Sequence, residues 1–309
     1  MEKIAPKKQQ FETLFQMMAA FPDEQSAVDH FRAIRWADGA FCPHCGSTKV
    51  YHFSDARTHK CGDCRKRFSI KVGTIFEDTK IELRKWMMAI WLITSHKKGI
   101  ASTSLARDLG VTQKTAWFML HRLRHAIRTQ SFNKPLDGEV EIDETYVGGK
   151  AINRHKGDPK RKNGGFAGKA AVIGALERGG KVVATVIAST NTATLDGFAH
   201  AVIAPGAKVS TDEHAGYRHL GRTFDHGIVR HGAGEYSVGG VHTNGIEGYW
   251  SLLKRQIVGI HHFVSPKHLN SYVNESAWRF NLRGIGEGAR VNELLASASG
   301  RLRYKELIG

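Results

Sequence analysis

Long apolar runs are missing from this 309-residue chain. No stretch approaches the roughly 18 uninterrupted apolar residues of a membrane-crossing helix, and the opening MEKIAPKKQQ lacks the apolar core of a secretion signal. Membrane-embedded and secreted functions are therefore set aside, and a cytoplasmic protein is expected. No internal repeat and no long low-complexity tract occurs. Acidic residues are in deficit, with 29 Asp+Glu against 45 Lys+Arg and a formal net charge of +16. Such a field attracts polyanions, nucleic acid being the commonest. The deficit is uneven: residues 1–135 carry 23 Lys+Arg and 12 Asp+Glu, a net of +11, whereas residues 136–309 carry 22 and 17, a net of +5. The front half is suited to polyanion contact, while the back half keeps acids for another purpose.

Cysteine is scarce, and its placement is informative. All four cysteines fall within residues 42–64, as Cys42-Pro-His-Cys45 and Cys61-Gly-Asp-Cys64 separated by fifteen residues. Two CxxC turns returned to each other by a hairpin present four thiolates to one tetrahedral Zn²⁺ ion. Two disulfides would need an oxidising compartment, and a redox CxxC would sit singly in a βαβ unit, so zinc is the expected occupant. His44 and His59 lie close enough to compete as ligands, although four thiolates already complete the shell. Lys49, Arg57, Lys60, Arg65, Lys66, Arg67 and Lys71 surround the knuckles with only Asp55 and Asp63 opposing them. That balance fits a phosphate backbone, with Arg65 and Lys66 as candidate contacts. It also fits a solvated surface that keeps a small metal module soluble.

Apolar residues at helical spacing predict a helical prefix from Phe11 to Trp36, with Asp23 as a cap. A second helical stripe is formed by Leu83, Trp86, Met87, Ile90, Trp91 and Ile93. Beyond it, Ser102 and Thr112 can cap two helices and Gly110 can supply the left-handed turn between them. This is the pattern of a helix-turn-helix, with Leu105, Leu109, Val111 and Leu120 inward. Gln113, Lys114 and Thr115 would stand near the start of the second helix, where base edges are read, and Arg122 and Arg124 would hold phosphates. A plain three-helix bundle gives the same stripe.

After Pro135 the pattern changes to alternation. Strands are predicted at Val140–Val147, Ala170–Leu176, Lys181–Ala188 and Lys208–Thr211, a helix at Thr194–Ile203, and further helices from about Thr243 and Pro266. Glycine-rich stretches from Gly148 to Gly168 and from Gly232 to Gly245 read as loops. The order of elements is that of an α/β ribonuclease H-like fold. On that frame Asp143, Asp212 and Glu247 can converge, and three carboxylates can hold two Mg²⁺ (or Mn²⁺) ions for phosphodiester chemistry. Glu144 and Glu213 read as solvated neighbours, and Trp250 and Trp278 as core. His242, His261 and His262 read as surface or hydrogen-bonded histidines.

The segments CPHC, CGDC, VEIDETYVGGK, VSTDEHAGY and HTNGIEGYWSLLKRQIVGIHHFVSPKHLNSYVNESAWRFNLR together span nearly all of residues 20–283. In these segments the chain resembles bacterial insertion-sequence DDE transposases with an N-terminal zinc ribbon, a group related to the eukaryotic Merlin transposases. The resemblance implies a ribonuclease H-like core in which Asp143 and Asp212 match the first two acids. It also implies that Lys254 matches a basic residue gripping terminal DNA. In parts of this group an Asn stands where the third acid is expected. Asn244 lies one helical turn before Glu247, so either residue is a candidate, with the carboxylate the better Mg²⁺ ligand.

Five segments follow: a helical prefix (1–40), a zinc ribbon (41–76), a helix-turn-helix segment (77–134), a catalytic domain (135–285) and a C-terminal tail (286–309). The expected activity is Mg²⁺-dependent cleavage at element ends and strand transfer into target DNA. The expected partners are double-stranded DNA and further copies of the chain, in a nucleoid-associated setting with no membrane contact. A DNA-binding regulator descended from a transposase is the alternative. A hydrolytic ribonuclease H-type nuclease is a third reading, although it leaves the ribbon and the helix-turn-helix unexplained.

Overall fold

A computed structural model describes residues 10–129, 134–149, 155, 168–233, 237 and 239–309. Most of the first glycine-rich stretch and part of the second lie outside the described residues. The chain divides into two compact units, residues 1–130 with 284–309, and residues 131–283. Among the described residues no helix is long and apolar enough to cross a membrane.

The first unit opens with two short helices, α1 (Leu14–Ala20) and α2 (Glu24–Arg35). Asp23 caps α2, its carboxylate accepting the Ser26 N–H at 2.8 Å. A three-stranded antiparallel sheet follows, β1 (Val50–His52), β2 (Thr58–Cys61) and β3 (Arg67–Ser69). Helices α3 (Leu83–Ser95), α4 (Ser102–Leu109) and α5 (Gln113–Thr129) complete the central part. The stripe expected on α3 is buried along its whole length, from Leu83 through Ile93. Gly110 takes φ 61° between α4 and α5, the left-handed conformation that a glycine adopts without a Cβ clash. Thr112 accepts the Thr115 N–H at 3.2 Å as a cap, but Ser102 does not cap α4: its hydroxyl accepts from the Gln113 side chain at 2.9 Å.

Residues 286–309, expected as a tail, instead form part of this unit. Helix α9 (Glu287–Ala296) buries Val291, Leu294 and Leu295, and its Asn292 pairs with His30 of α2 at 2.8 Å. Gly288 permits the docking, since a Cβ there would lie 1.7 Å from the Phe11 carbonyl oxygen. Backbone bonds between Ile75 and Ala298 and between Gly300 and Gly73 then tie the end of the chain beside the ribbon. No local pattern signals this, because the contacts that seat α9 are made with Phe11 and, 262 residues away from Asn292, with His30.

The second unit is a five-stranded sheet, β4 (Glu139–Val147), β5 (Ala170–Glu177), β6 (Val182–Ile187), β7 (Lys208–Asp212) and β8 (Asp225–Val229), in the order β6-β5-β4-β7-β8. β4, β5 and β6 run antiparallel as a meander, and β7 and β8 join β4 in parallel. β8 escapes periodicity because DHGIV has little apolar alternation and the strand lies at the sheet edge, with Ile228 49% exposed. Helix α6 (Thr192–Val202) makes the crossover from β6 to β7 and covers one face with Leu195 and Ala199. The other face is covered by α7 (Asn244–Gln256) and α8 (Pro266–Asn281), through Ile246, Tyr249, Trp250, Leu253, Leu269 and Val273.

Glu141, missed by the sequence reading, fixes α7 to the sheet. Its side chain is 1% exposed, and it receives Arg178 Nε at 2.9 Å and the Ile246 N–H at 2.9 Å, with His242 Nδ1 at 3.0 Å. Arg178 also pairs with Glu139 at 2.6 Å and is 21% exposed, so loss of Glu141 does not strand its charge; what is lost is the buried acceptor of the guanidinium and of the Ile246 N–H. Each hydrogen bond involving a charged group contributes about 1.5–3 kcal/mol, and Glu141→Ala is expected to lower the stability of this unit by roughly that amount, measured by urea unfolding followed at the buried tryptophans. An unchanged midpoint would remove the anchoring role.

Candidate functional site

In the ribbon the two CxxC turns close on each other. Cys42 Sγ lies 3.7 Å from Cys64 Sγ, and Cys45 Sγ lies 3.6 Å from Cys61 Sγ. A tetrahedral shell with Zn–S of ~2.3 Å has an edge of ~3.8 Å, so the donor set has the size as well as the chemistry for structural Zn²⁺. Among the described residues this quartet is the one group of three or more potential ligands gathered within 4.8 Å. His59 does not take part: it is buried against Trp36 and meets His52 Nδ1 at 3.0 Å, and burial pushes its pKa down to about 4. His44 contributes its backbone N–H to Cys42 Sγ at 3.4 Å. Arg65 and Lys66 are exposed beside the second knuckle.

Of the residues expected to meet DNA from the helical segment, Gln113 and Lys114 are exposed at the start of α5, with the Lys114 ammonium 4.9 Å from the Tyr304 ring centroid. Arg122 and Arg124 are corrected: they are 7% and 1% exposed. The Arg122 guanidinium donates to the carbonyls of Ile75 and Glu77 at 2.9 and 3.1 Å. Its fork therefore organises the first unit and faces no phosphate. Helical spacing places a basic residue on a face but does not reveal what packs over that face.

In the second unit the strand register brings acids together. Glu141 pairs with Ser210 across the parallel β4–β7 ladder, so two residues further on Asp143 comes beside Asp212. Glu144, next in sequence, is directed to the opposite face, where the Tyr217 hydroxyl donates to it and His214 Nδ1 lies 3.8 Å away. Burial, then the charges of Glu144 and Asp212, pushes Asp143 up to about 7. Burial and the Asp212 charge likewise push Glu144 up to about 7. Glu144 is therefore a largely buried acid on the face opposite Asp143, and not the solvated neighbour its sequence position suggests.

Trp250 is core, as expected, but its indole N–H also donates to Asp143 Oδ2 at 2.9 Å. Gly174, opposite Asp143 on β5, leaves the space: a Cβ there would stand 2.6 Å from the indole ring. Glu247 is exposed in the first turn of α7 and accepts from the Thr243 hydroxyl at 3.0 Å. Asn244 is exposed one turn earlier, and Lys254 is exposed near the end of the helix. The structure thus joins Asp143 to Asp212, while Glu247 is not drawn into a tight triad with them.

Sequence comparison gives the family of this chain, which joins a four-cysteine ribbon to an α/β unit with acids on neighbouring parallel strands. Residues 22–67 match the transposase zinc-ribbon domain, and residues 135–281 match the ISXO2-like transposase domain. The chain belongs to the insertion-sequence transposases that carry these two domains. It is also similar to an uncharacterized protein in transposable element ISH50 of Halobacterium salinarum, 29% identical over 280 residues, covering 82% of this chain and 89% of that one.

Two measurements test these sites. Zinc analysis of the reduced protein is expected to give one equivalent, with Cys61→Ser releasing it and leaving the unfolding of residues 131–283 unchanged. Less than half an equivalent in the folded wild type would count against the ribbon's metal. The second concerns pH. Asp143 titrates near 3.8 when unfolded and at about 7 when folded. The folded state therefore binds this proton more tightly, and the stability it contributes is present below the unfolded value and lost as pH rises through 7. Asp143→Asn is expected to gain stability relative to wild type between pH 5 and pH 8, read from paired thermal melts without divalent metal. A constant difference across that range would refute the shift.

Proposed function

We propose that the chain is a DDE-type DNA transposase whose second unit is a ribonuclease H-like catalytic core. The observation that carries the reading is the pair Asp143–Asp212 on adjacent parallel strands beneath α7, with desolvated carboxylates crowded enough to raise Asp143 to about 7. The strand order β6-β5-β4-β7-β8, three antiparallel strands followed by two parallel ones, supports the same reading. Oxygen-only donors at a site short of positive charge fit Mg²⁺ or Mn²⁺, held by Asp143 and Asp212 with Glu247 as third ligand. When bound, two such ions would offset the charge that develops on the attacking and leaving oxygens of a phosphodiester.

The protein's own groups divide the remaining work. Trp250 fixes the orientation of the Asp143 carboxylate through its indole N–H. Lys254, a helical surface cation two turns from Glu247, grips the phosphates of the element end. Gln113 and Lys114 at the start of α5 read base edges as the second helix of a helix-turn-helix, and Arg65 and Lys66 hold the backbone. Two DNA ends must be cut and joined to a target together, so the active complex contains more than one copy.

The test is catalytic replacement in the full-length protein, with DNA taken from the inverted repeats flanking its gene. Asp143→Ala and Asp212→Ala are each expected to abolish Mg²⁺-dependent cleavage and joining while repeat binding survives or tightens as acid–phosphate repulsion falls. Glu247→Ala is expected to do the same, and Asn244→Ala to cost little. A loss from Asn244→Ala with near-normal strand transfer by Glu247→Ala would reassign the third ligand. Full activity in both aspartate variants would remove the enzyme, and binding without any cleavage by the wild type would favour the regulator.

A further inference from the structure

The reversal between α7 and α8 is basic and carries uncovered apolar surface. Residues 248–274 contain no Asp or Glu but hold Lys254, Arg255, Lys267, His261, His262 and His268. α7 does not stop at a cap: it widens into a π-helical turn, Ile257–His261, after which His262 takes φ 60°. Left-handed backbone is unfavourable for a side-chain-bearing residue and persists only where the surroundings hold it. Here they do, because Ile257 and Val264 on either side are 4% and 9% exposed and pin the turn to the core. Between those pins Val258 and Phe263 stand 65% and 66% exposed. An exposed aromatic ring on a pinned turn, within a stretch of sequence rich in bases and free of acids, is complementary to a polyanion that also has flat apolar faces, which is an unstacked nucleic-acid strand.

We propose that Phe263 is a stacking platform for an unpaired base of the DNA strand entering the carboxylate site, with Lys254 and Arg255 on the adjoining phosphates. The proposal deepens the transposase reading and rests on it. Trp250 contacts Asp143, and Ile257 lies seven residues further along the same helix axis, about 10 Å at 1.5 Å per residue. The turn that carries Phe263 therefore begins about three nucleotide steps along the helix from Trp250, and the captured base is placed a few positions from the scissile phosphate. Withdrawing a base there opens the duplex end and fixes the register of the strand without reading its sequence, since every base offers a π face.

The experiment uses the full-length protein with a (dT)15 strand and with repeat duplexes carrying 5-iododeoxyuridine at the third or fourth position from the cut. Photo-crosslinking is expected to map to the peptide containing Phe263. Phe263→Ala is expected to weaken (dT)15 binding about 10-fold, and Phe263→Trp to restore it. Crosslinks confined to other peptides together with unchanged (dT)15 affinity would overturn the platform. So would a Phe263→Ala protein that changes its mass by light scattering while binding (dT)15 normally, because the ring would then be a contact between copies. Cleavage by the wild type is measured in the same samples, so an active enzyme indifferent to Phe263→Ala removes the platform and leaves the transposase reading standing.

Discussion

The second unit depends on how a buried carboxylate on its central strand is compensated. Glu141 would be prohibitively costly in that position alone, since an ionised group out of water must be paired and hydrogen-bonded. The chain supplies Arg178 from the end of β5, His242 from the approach to α7 and the Ile246 N–H from the first turn of α7. Negative charge at a helix N-terminus is also favourable to the helix itself. The pairing therefore sets where α7 begins and which face it turns to the sheet. Gly245 is part of the same constraint, because a Cβ there would stand 2.9 Å from a Glu141 oxygen. Four residues on from Ile246, Trp250 falls on the same helical face and reaches Asp143.

Two acids separated by one residue on the same strand are thus treated oppositely. Glu141 receives a guanidinium, while Asp143 receives neutral donors, the indole N–H of Trp250 and the Glu144 backbone N–H, with further negative charge from Glu144 and Asp212 nearby. A neutral donor orients a carboxylate without neutralising it. Under the proposed reading, the contrast separates a structural acid from a functional one more clearly than burial does, since both side chains lie largely out of solvent. On the same reading it would also account for a divalent metal being held at Asp143 and not two residues earlier.

What was legible in the sequence is what local rules determine. The CxxC pair, the Asp23 and Thr112 caps, the Gly110 turn and the strands from β4 to β7 follow from spacing and period alone. Asp143 and Asp212 stood out as candidates because each falls in or at the end of a predicted strand, Asp143 in the middle of β4 and Asp212 at the end of β7. The interior fates of Glu141, Glu144, Arg122 and Arg124 were not, because they depend on a partner distant in sequence: Arg178 is 37 residues from Glu141, and Tyr217 is 73 from Glu144. Gly174 reads as an ordinary strand glycine until the indole that needs its missing Cβ is placed. The same limit hid α9, whose membership of the first unit rests on Gly288 meeting Phe11 from the other end of the chain.

Charge is segregated within the second unit as well as between the halves of the sequence. β4 carries Glu139, Glu141, Asp143 and Glu144 in six residues, whereas the 27 residues from Gly248 to Asn274 carry no acid. The acids lie on the sheet and the bases along the helix that crosses it. A cation alone would answer the first region and a phosphate chain alone the second. Asp143 and Lys254 are separated by about one helical turn along α7, since Trp250 bridges to the former and lies four residues before the latter. Under the proposed transposase reading, neither ligand would be well served without the other at that spacing: a phosphodiester drawn to Lys254 would meet the repulsion of uncompensated carboxylates, and divalent cations held by those carboxylates would supply the charge that removes it. On that reading metal and DNA would enter the site as coupled ligands, each raising the affinity of the other.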